Sequence, residues 1–131
     1  MLEKGFTIGE HLKFHRLSAN LTQNELAKIV GLSNGACIKD IEIGKKLPGR
    51  ETSKKLAEYF NLDSKYFYDP YLEDTDNLNL ILKEYRSKNN LTIRQVANKF
   101  NVAPSAWSTW ENKIAYVSRN KYVELKKLGL I

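Results

Sequence analysis

The chain lacks several features that would point to particular classes of protein. It has a single cysteine, Cys37, in 131 residues, so it has no internal disulfide and a reducing compartment is favoured. No run approaches the roughly 20 apolar residues that a membrane-spanning helix needs. The N-terminal residues do not show the basic, then apolar, then small pattern of a secretory signal. We therefore expect a soluble, cytoplasmic protein that is not attached to a membrane.

Motifs for catalysis and for metal binding are also missing. There is no glycine-rich phosphate loop, no nucleophile elbow and no convincing pair of catalytic carboxylates. His11 and His15 have the spacing of half a helical metal site, but Leu12 stands where a zinc protease has its glutamate. Since no third ligand is apparent, we interpret the two histidines as part of a solvated helix face. We expect no metal, no cofactor and no enzymatic activity.

Positive charge is in excess and is unevenly distributed. The chain has 21 basic and 15 acidic residues, a net charge of +6. Residues 1–70 carry 11 basic and 9 acidic side chains, whereas residues 77–131 carry 10 and 3. The segment between them, residues 71–77, follows a proline, is acidic and has little periodicity, which is typical of a linker. The basic excess is compatible with a polyanionic partner.

The two halves of the sequence resemble each other. With an offset of 70 residues, the positions that coincide are Leu12-Lys13 with Leu82-Lys83, Arg16 with Arg86, Asn20-Leu21-Thr22 with Asn90-Leu91-Thr92, and Ala27 with Ala97. Further along the offset becomes 69, which pairs Ile38 with Trp107, Ile41 with Trp110, and Glu42 with Glu111. We infer a tandem duplication of one helical unit.

The apolar residues of both copies follow the period of a helix, and no segment alternates as a strand does. In the first copy the predicted helices lie around Ile8, Leu12 and Leu17, after a capping box at Thr22 and Glu25, around Ile38 and Ile41, at about 51–60, and just after Asp63. In the second copy they lie near 78–88, 92–99, 104–111 and 118–128. The prediction is an all-α protein with two domains of four to five short helices, residues 1–70 and 78–131.

One pattern in the first copy points to a family. It consists of Thr22-Gln23-Asn24-Glu25-Leu26-Ala27, Gly31, Ile38, Ile41-Glu42 and Gly44-Lys45-Lys46-Leu47-Pro48. Over about residues 6–68 it resembles the phage-repressor and Cro-like (lambda-repressor-like) helix-turn-helix family of DNA-binding regulators. The small Ala27 lets two helices cross closely, and Gly31 allows the sharp turn between them. The second of these helices then has one face free to enter a major groove.

The second copy resembles the same family more loosely, over about residues 78–128. Asn101 replaces the glycine of the turn, and asparagine tolerates positive φ better than most residues. Ile93 stands where the family has a glutamine that contacts phosphate, and the Gly-Lys-x-x-Pro segment is missing after Asn112-Lys113. We expect this copy to keep the fold and to contact DNA less completely.

The resemblance implies a set of DNA contacts. Gln23 matches a family position whose amide bonds a phosphate, the alternative being an ordinary polar residue of the first turn. The outward positions of the recognition helix and of the basic loop after it are Asn34, Gly35, Ala36, Lys39, Asp40, Lys45 and Lys46. The equivalent positions of the second copy are Pro104, Ser105, Ser108, Thr109, Asn112 and Lys113, and Arg94 is a candidate replacement for the phosphate contact missing at position 93. Because most of these side chains are short, Asn34 and Lys39 are the ones expected to read base edges or phosphate.

Other matching residues have structural roles in the family. Arg16 with Glu42, and Arg86 with Glu111, match a salt bridge between the first helix and the end of the recognition helix. Trp107 and Trp110 occupy the positions of Ile38 and Ile41, so we predict that they pack in the core and do not stack on bases.

The function implied is sequence-specific binding of double-stranded DNA by a transcriptional regulator, with repression by occlusion of a promoter as the favoured mode. Such a chain can act as a homodimer or, with two readers, as a pseudo-dimer within one chain. In the alternative interpretation one copy, the second, is a protein-interaction or dimerisation module, as in an antitoxin or a co-regulator.

Overall fold

The structure, a computed structural model, describes residues 6–131. Residues 1–5, on which the expectation of no signal peptide depends, lie outside this range. Within it the backbone forms nine α-helices, one 3-10 helix at Ser64–Phe67 and no strand, which confirms the all-α class. The α-helices are α1 Ile8–Ser18, α2 Gln23–Ile29, α3 Gly35–Glu42, α4 Arg50–Phe60, α5 Pro70–Thr75, α6 Leu78–Lys88, α7 Ile93–Lys99, α8 Pro104–Glu111 and α9 Arg119–Lys127. None of the helices described is both long enough and apolar enough to cross a membrane.

The chain divides into two compact units between Leu72 and Glu73. We call the part up to Leu72 unit 1 and the part from Glu73 unit 2. The division falls inside α5, in the segment that we predicted to be a linker. Pro70 begins this helix, where its missing N–H costs nothing, and Leu72 and Thr75 are buried. A helix of six residues is too short to show a period in the sequence.

Unit 1 is built on a core to which each of its first four helices contributes. The fully buried aliphatic side chains are Leu12 of α1, Leu26 of α2, Ile38 of α3 and Leu56 of α4. Leu17, which we placed on the buried face of the first helix, is 54% exposed. It lies five residues after Leu12, about 140° round the helix from it, so the periodicity was misassigned there.

Unit 2 repeats this arrangement with a larger residue in the middle. Leu82, Val96 and Leu125 take part in its core, and Trp107 is fully buried. The Trp107 ring stacks on Phe100 with 5.6 Å between ring centroids. The prediction that Trp107 is a core residue is confirmed, while Trp110 beside it is only half-buried.

The turns that flank α3 and α8 need left-handed backbone. Gly31 has φ +75° and its counterpart Asn101 has φ +55°, as the sequence led us to expect. After α3, Gly44 has φ +81°. Its counterpart Lys113 adopts φ +57°, a conformation that costs a residue with a side chain roughly 1–2 kcal/mol. The fold is therefore retained in unit 2 at a position where the favourable glycine has been lost.

Candidate nucleic-acid interface

Helix α2 begins at a capping box. The Thr22 hydroxyl accepts from the backbone N–H of Glu25 at 3.1 Å, and the Glu25 carboxylate accepts from the backbone N–H of Thr22 at 2.8 Å. The second of these hydrogen bonds is the main cause that holds the pKa of Glu25 below its ordinary value. The box fixes where α2 starts, and so it places Gln23 in the first turn of that helix.

A single carboxylate joins the first three helices of unit 1. Glu42, the last residue of α3, accepts two hydrogen bonds from the Arg16 guanidinium, at 2.6 and 3.1 Å. The Gln23 amide donates a third, at 3.2 Å to Glu42 Oε1. The Arg16 and Glu42 side chains are only 9% and 3% exposed. The predicted salt bridge is therefore present, and it also fixes the direction of the Gln23 amide.

Two backbone N–H groups in the first turn of α3 have hydrogen-bond acceptors within the protein. The Asn34 side chain caps the helix by accepting from the backbone N–H of Ala36 at 2.9 Å. The Asn24 side chain accepts from the backbone N–H of Gly35 at 2.8 Å. Gly35, which we expected on the outward face, is buried instead, because α2 and α3 meet at this point. The sequence did not lead us to expect that Asn24 holds the start of α3.

Most candidate side chains on the outward face of α3 are short, and Lys39 is the one cation among them. Ala36 and Lys39 are exposed, and Asp40 is partly exposed. In the loop after the helix, Lys45 and Lys46 are exposed, and Lys46 Nζ lies 3.7 Å from Asp40 Oδ2. With 65% of the Lys46 side chain exposed, this ion pair is weak and leaves the cation accessible.

Cys37 lies on the same helix, half-buried. Its thiol is 3.6 Å from the Ser33 hydroxyl. This hydrogen bond is the main reason that the pKa of Cys37 is lower than its ordinary value.

Unit 2 keeps the central ion pair and changes its third partner. The Arg86 guanidinium donates to Glu111 at 2.9 and 2.7 Å. The third donor is the buried indole N–H of Trp107, at 2.7 Å. These bonds, chiefly those from Arg86, lower the pKa of Glu111, and the same pair raises the pKa of Arg86. Unit 2 thus takes from its core a donor that unit 1 takes from the half-buried residue Gln23.

The outward face of α8 is uncharged, and several of its polar groups are engaged within the helix. The Thr109 hydroxyl donates to the backbone carbonyl of Ser105 at 2.7 Å. The Asn112 amide donates to the backbone carbonyl of Ser108 at 2.9 Å. Pro104, the first residue of α8, has no N–H to offer. These groups therefore have less capacity left for bases than the candidates on α3 have.

The loop after α8 is apolar where that of unit 1 is basic. With the offset of 69, Lys45 and Lys46 correspond to Ile114 and Ala115. Ile114 is 77% exposed. Among the other candidates of unit 2, Lys113 and Arg94 are both exposed. These two residues are the cations among the candidates of unit 2.

The two histidines of α1 do not form the solvated face that we expected. His11 and His15 are half-buried against aromatic rings, with centroid distances of 5.3 Å to Tyr66 and 5.6 Å to Phe60. Desolvation lowers the pKa of both histidines. The expectation failed because these aromatic residues come from sequence-distant elements. Across residues 6–131 no group of three or more His, Cys, Asp or Glu side chains could hold a metal ion.

Comparison with known proteins agrees with this geometry for unit 1. Residues 9–73 match a protein-family model described as a helix-turn-helix domain. Residues 9–73 form a helix-turn-helix domain. Neither a curated protein nor a solved structure matches the chain. The helix-turn-helix match ends where unit 2 begins, so the assignment of the same fold to unit 2 depends on the internal repeat.

Proposed function

We propose that this protein is a transcriptional regulator of the phage-repressor and Cro-like type, which binds double-stranded DNA in the cytoplasm and represses by occlusion. In this proposal unit 1 inserts α3 into the major groove. The observation that carries it is the arrangement at Glu42, which fixes Gln23, the end of α3 and the start of the basic loop relative to one another. Helix-turn-helix proteins need this relation between a base-reading helix and its phosphate contacts.

The phosphate contacts come from the two ends of this arrangement. An amide nitrogen carries two N–H donors. Glu42 accepts one from Gln23, which leaves the other for a phosphate oxygen. Lys45 and Lys46 lie just beyond the other end of α3 and supply positive charge to the backbone of the duplex. Each lysine contact releases counterions, so binding must weaken as salt rises.

The candidates for contacts with bases lie on α3 and at its N-cap. Lys39 is long and exposed, and it can reach a base edge or a phosphate, while Ala36 offers an apolar contact to a thymine methyl. Asn34 remains a candidate, although its side-chain oxygen already caps α3. Its amide N–H groups are the part left for DNA.

A titration of the full chain with a random-sequence duplex at several salt concentrations tests the proposal. We expect binding at low salt that weakens steeply as salt rises, because lysines neutralise phosphates. In Gln23→Ala we expect a lower affinity at every salt concentration with the slope unchanged, because the amide that is lost is uncharged. The matched control is Ile93→Ala, at the equivalent position of unit 2, where we expect no change of affinity. Absence of binding even at low salt would refute DNA binding by this chain.

Unit 2 has a second candidate function, as an interaction or dimerisation module. The observation that favours it is the exposed Ile114 at the place of Lys45. Residues 77–131 as a whole carry 10 basic and 3 acidic side chains, which weighs against a protein interface because interface centres are depleted in lysine. Sedimentation of the full chain tests whether unit 2 is a dimerisation module. A dimer that Ile114→Lys dissociates would support this function, and a monomer at all accessible concentrations would refute it.

A further inference from the structure

The first turn of α3 makes an unusually close approach to α2. A β-carbon at Gly35 would lie 2.5 Å from the side-chain oxygen of Asn24 and 2.9 Å from its backbone nitrogen. The Asn24 oxygen uses this closeness to accept the Gly35 N–H at 2.8 Å. A glycine at 35 and an acceptor at 24 are therefore both needed for this contact.

The last turn of α3 makes a similar approach to α1. A β-carbon at Gly9 would collide with the backbone carbonyl of Ile41 and would lie 2.5 Å from the carbonyl oxygen of Glu42. Gly9 is buried, in the first turn of α1. Both ends of α3 are thus held against neighbouring helices at glycine positions, with Gly35 on α3 itself and Gly9 on α1.

Unit 2 has lost both features. With the offsets of the repeat, Gly35 and Asn24 correspond to Pro104 and Arg94. Proline has no N–H to donate and arginine is no acceptor, so the hydrogen bond between these positions cannot form. Gly9 corresponds to Asn79, which has a side chain where unit 1 has none. The repeat therefore provides a natural example of the fold without these constraints.

We propose that Asn24 is a positioning residue for DNA recognition, which acts through Gly35 to fix α3 and so sets the base specificity of unit 1. The proposal rests on the function proposed above. Contacts between side chains and base edges tolerate displacements of only about 0.5 Å. Lysine contacts to phosphate are carried by long, flexible side chains, and they survive a small shift of α3. Loss of the Asn24 contact should therefore reduce discrimination between sequences more than it reduces non-specific binding.

The test compares Asn24→Ala with Asn24→Asp in the full chain. Aspartate keeps an acceptor for the Gly35 N–H, whereas alanine removes it. The first readout, taken without DNA, is hydrogen exchange at the Gly35 amide, which we expect to accelerate in Asn24→Ala and to stay slow in Asn24→Asp. Asn98→Ala, an exposed asparagine of α7, is the control and should leave this exchange unchanged.

The second readout is the ratio of affinity for a duplex selected by the unmodified protein to affinity for a random duplex. We expect Asn24→Ala to lower this ratio about tenfold, as much as one mismatched base pair, with the salt slope unchanged. We expect Asn24→Asp to keep the ratio of the unmodified protein, because aspartate retains the acceptor for the Gly35 N–H. Its added charge weakens both affinities alike and so does not change their ratio. A merely structural role would reduce both affinities together and leave the ratio unchanged.

The outcomes separate the two proposals. If Asn24→Ala accelerates exchange at Gly35 but leaves the ratio of affinities unchanged, the positioning role is overturned and DNA binding stays intact. Exchange that stays slow in Asn24→Ala would have the same meaning. If the unmodified protein selects no sequence, the specificity claim falls together with the proposed function, and the exchange data alone then report whether the contact exists. Asn24 is exposed, so its substitution is expected to preserve folding, unlike Gly9→Ala, whose β-carbon meets backbone.

Discussion

Units 1 and 2 build the same arginine–carboxylate pair and surround it differently. In unit 1 the third donor to the carboxylate is the amide of Gln23, a half-buried residue. In unit 2 it is the indole of Trp107, a residue of the core. The pair itself is a structural device that both units keep. The third donor is where the two units differ, because only Gln23 has a second N–H to offer outside the protein.

The loops after α3 and α8 also differ, and here too unit 1 is better suited to contact phosphate. Unit 1 presents Lys45 and Lys46 after a glycine in left-handed conformation, and unit 2 presents Ile114 after Lys113 in the same conformation. Most of the positive charge of residues 77–131 therefore lies away from the loop that matches the basic loop of unit 1. Net charge alone would favour unit 2 as the reader of DNA, whereas our proposal assigns this role to unit 1.

The largest effect is expected from breaking the ion pair. Arg16→Ala leaves Glu42 buried with one of its two partners gone, which should cost unit 1 about 3–5 kcal/mol. Arg86→Ala should cost unit 2 less, about 1–3 kcal/mol, because the Arg86 side chain is 31% exposed, against 9% for Arg16.

Denaturant unfolding measures both variants. Both tryptophans lie in unit 2, so their fluorescence follows that unit alone, whereas far-ultraviolet circular dichroism follows both. Equal losses in the two variants would contradict the difference that we draw between the pairs.

The next effect concerns DNA. Lys45→Ala combined with Lys46→Ala should lower the salt slope of binding by about two units. Ile114→Ala, the matched change in unit 2, should leave the slope unchanged. The measurement is fluorescence anisotropy of a labelled duplex across a salt series. A slope that is insensitive to the two lysines would mean that the loop of unit 1 does not contact phosphate. A slope that rises in Ile114→Lys would mean that the loop of unit 2 faces DNA as well.

A smaller effect is expected from acid. Because the pKa of Glu111 is lower in the folded state than its ordinary value, its ion pair stabilises unit 2 fully above that ordinary value. This contribution is lost as pH falls through the lowered pKa. Tryptophan fluorescence during urea unfolding at pH 7 and at stepwise lower pH should report the loss. Glu111→Gln should flatten this part of the pH profile, and an unaltered profile in that variant would assign the acid sensitivity to other carboxylates.

The smallest effect is a gain of stability. Lys113→Gly relieves a left-handed residue that has a side chain and should stabilise unit 2 by up to about 1 kcal/mol. Gly44→Ala makes the opposite change in unit 1 and should destabilise it by about 1 kcal/mol. Thermal unfolding of the two variants measures both. A loss of stability in Lys113→Gly would show that the lysine side chain makes a contribution larger than the backbone strain.

The sequence was sufficient for the features that depend on short-range chemistry. The helices, the capping box at Thr22 and the left-handed turns at Gly31 and Asn101 follow from local residue types or from the repeat. The two ion pairs were expected from the resemblance to a family. The short helix α5 was missed because its six residues make fewer than two helical turns. Gly35 was misplaced because its burial depends on how closely α2 approaches α3, a distance that no pattern encodes. The repeat pairs Asn24 with Arg94 and Gly35 with Pro104. The acceptor and the donor of this hydrogen bond are therefore both replaced in unit 2.

The central claim is that unit 1 reads DNA through α3. Selection of bound sequences from a random duplex pool tests it most directly, with the unmodified chain, Lys39→Ala and the matched variant Ser108→Ala. We predict that the unmodified chain enriches one motif, that Lys39→Ala alters or abolishes it, and that Ser108→Ala leaves it recognisable. Enrichment of no motif, or a motif that Ser108→Ala alters and Lys39→Ala does not, would contradict the claim.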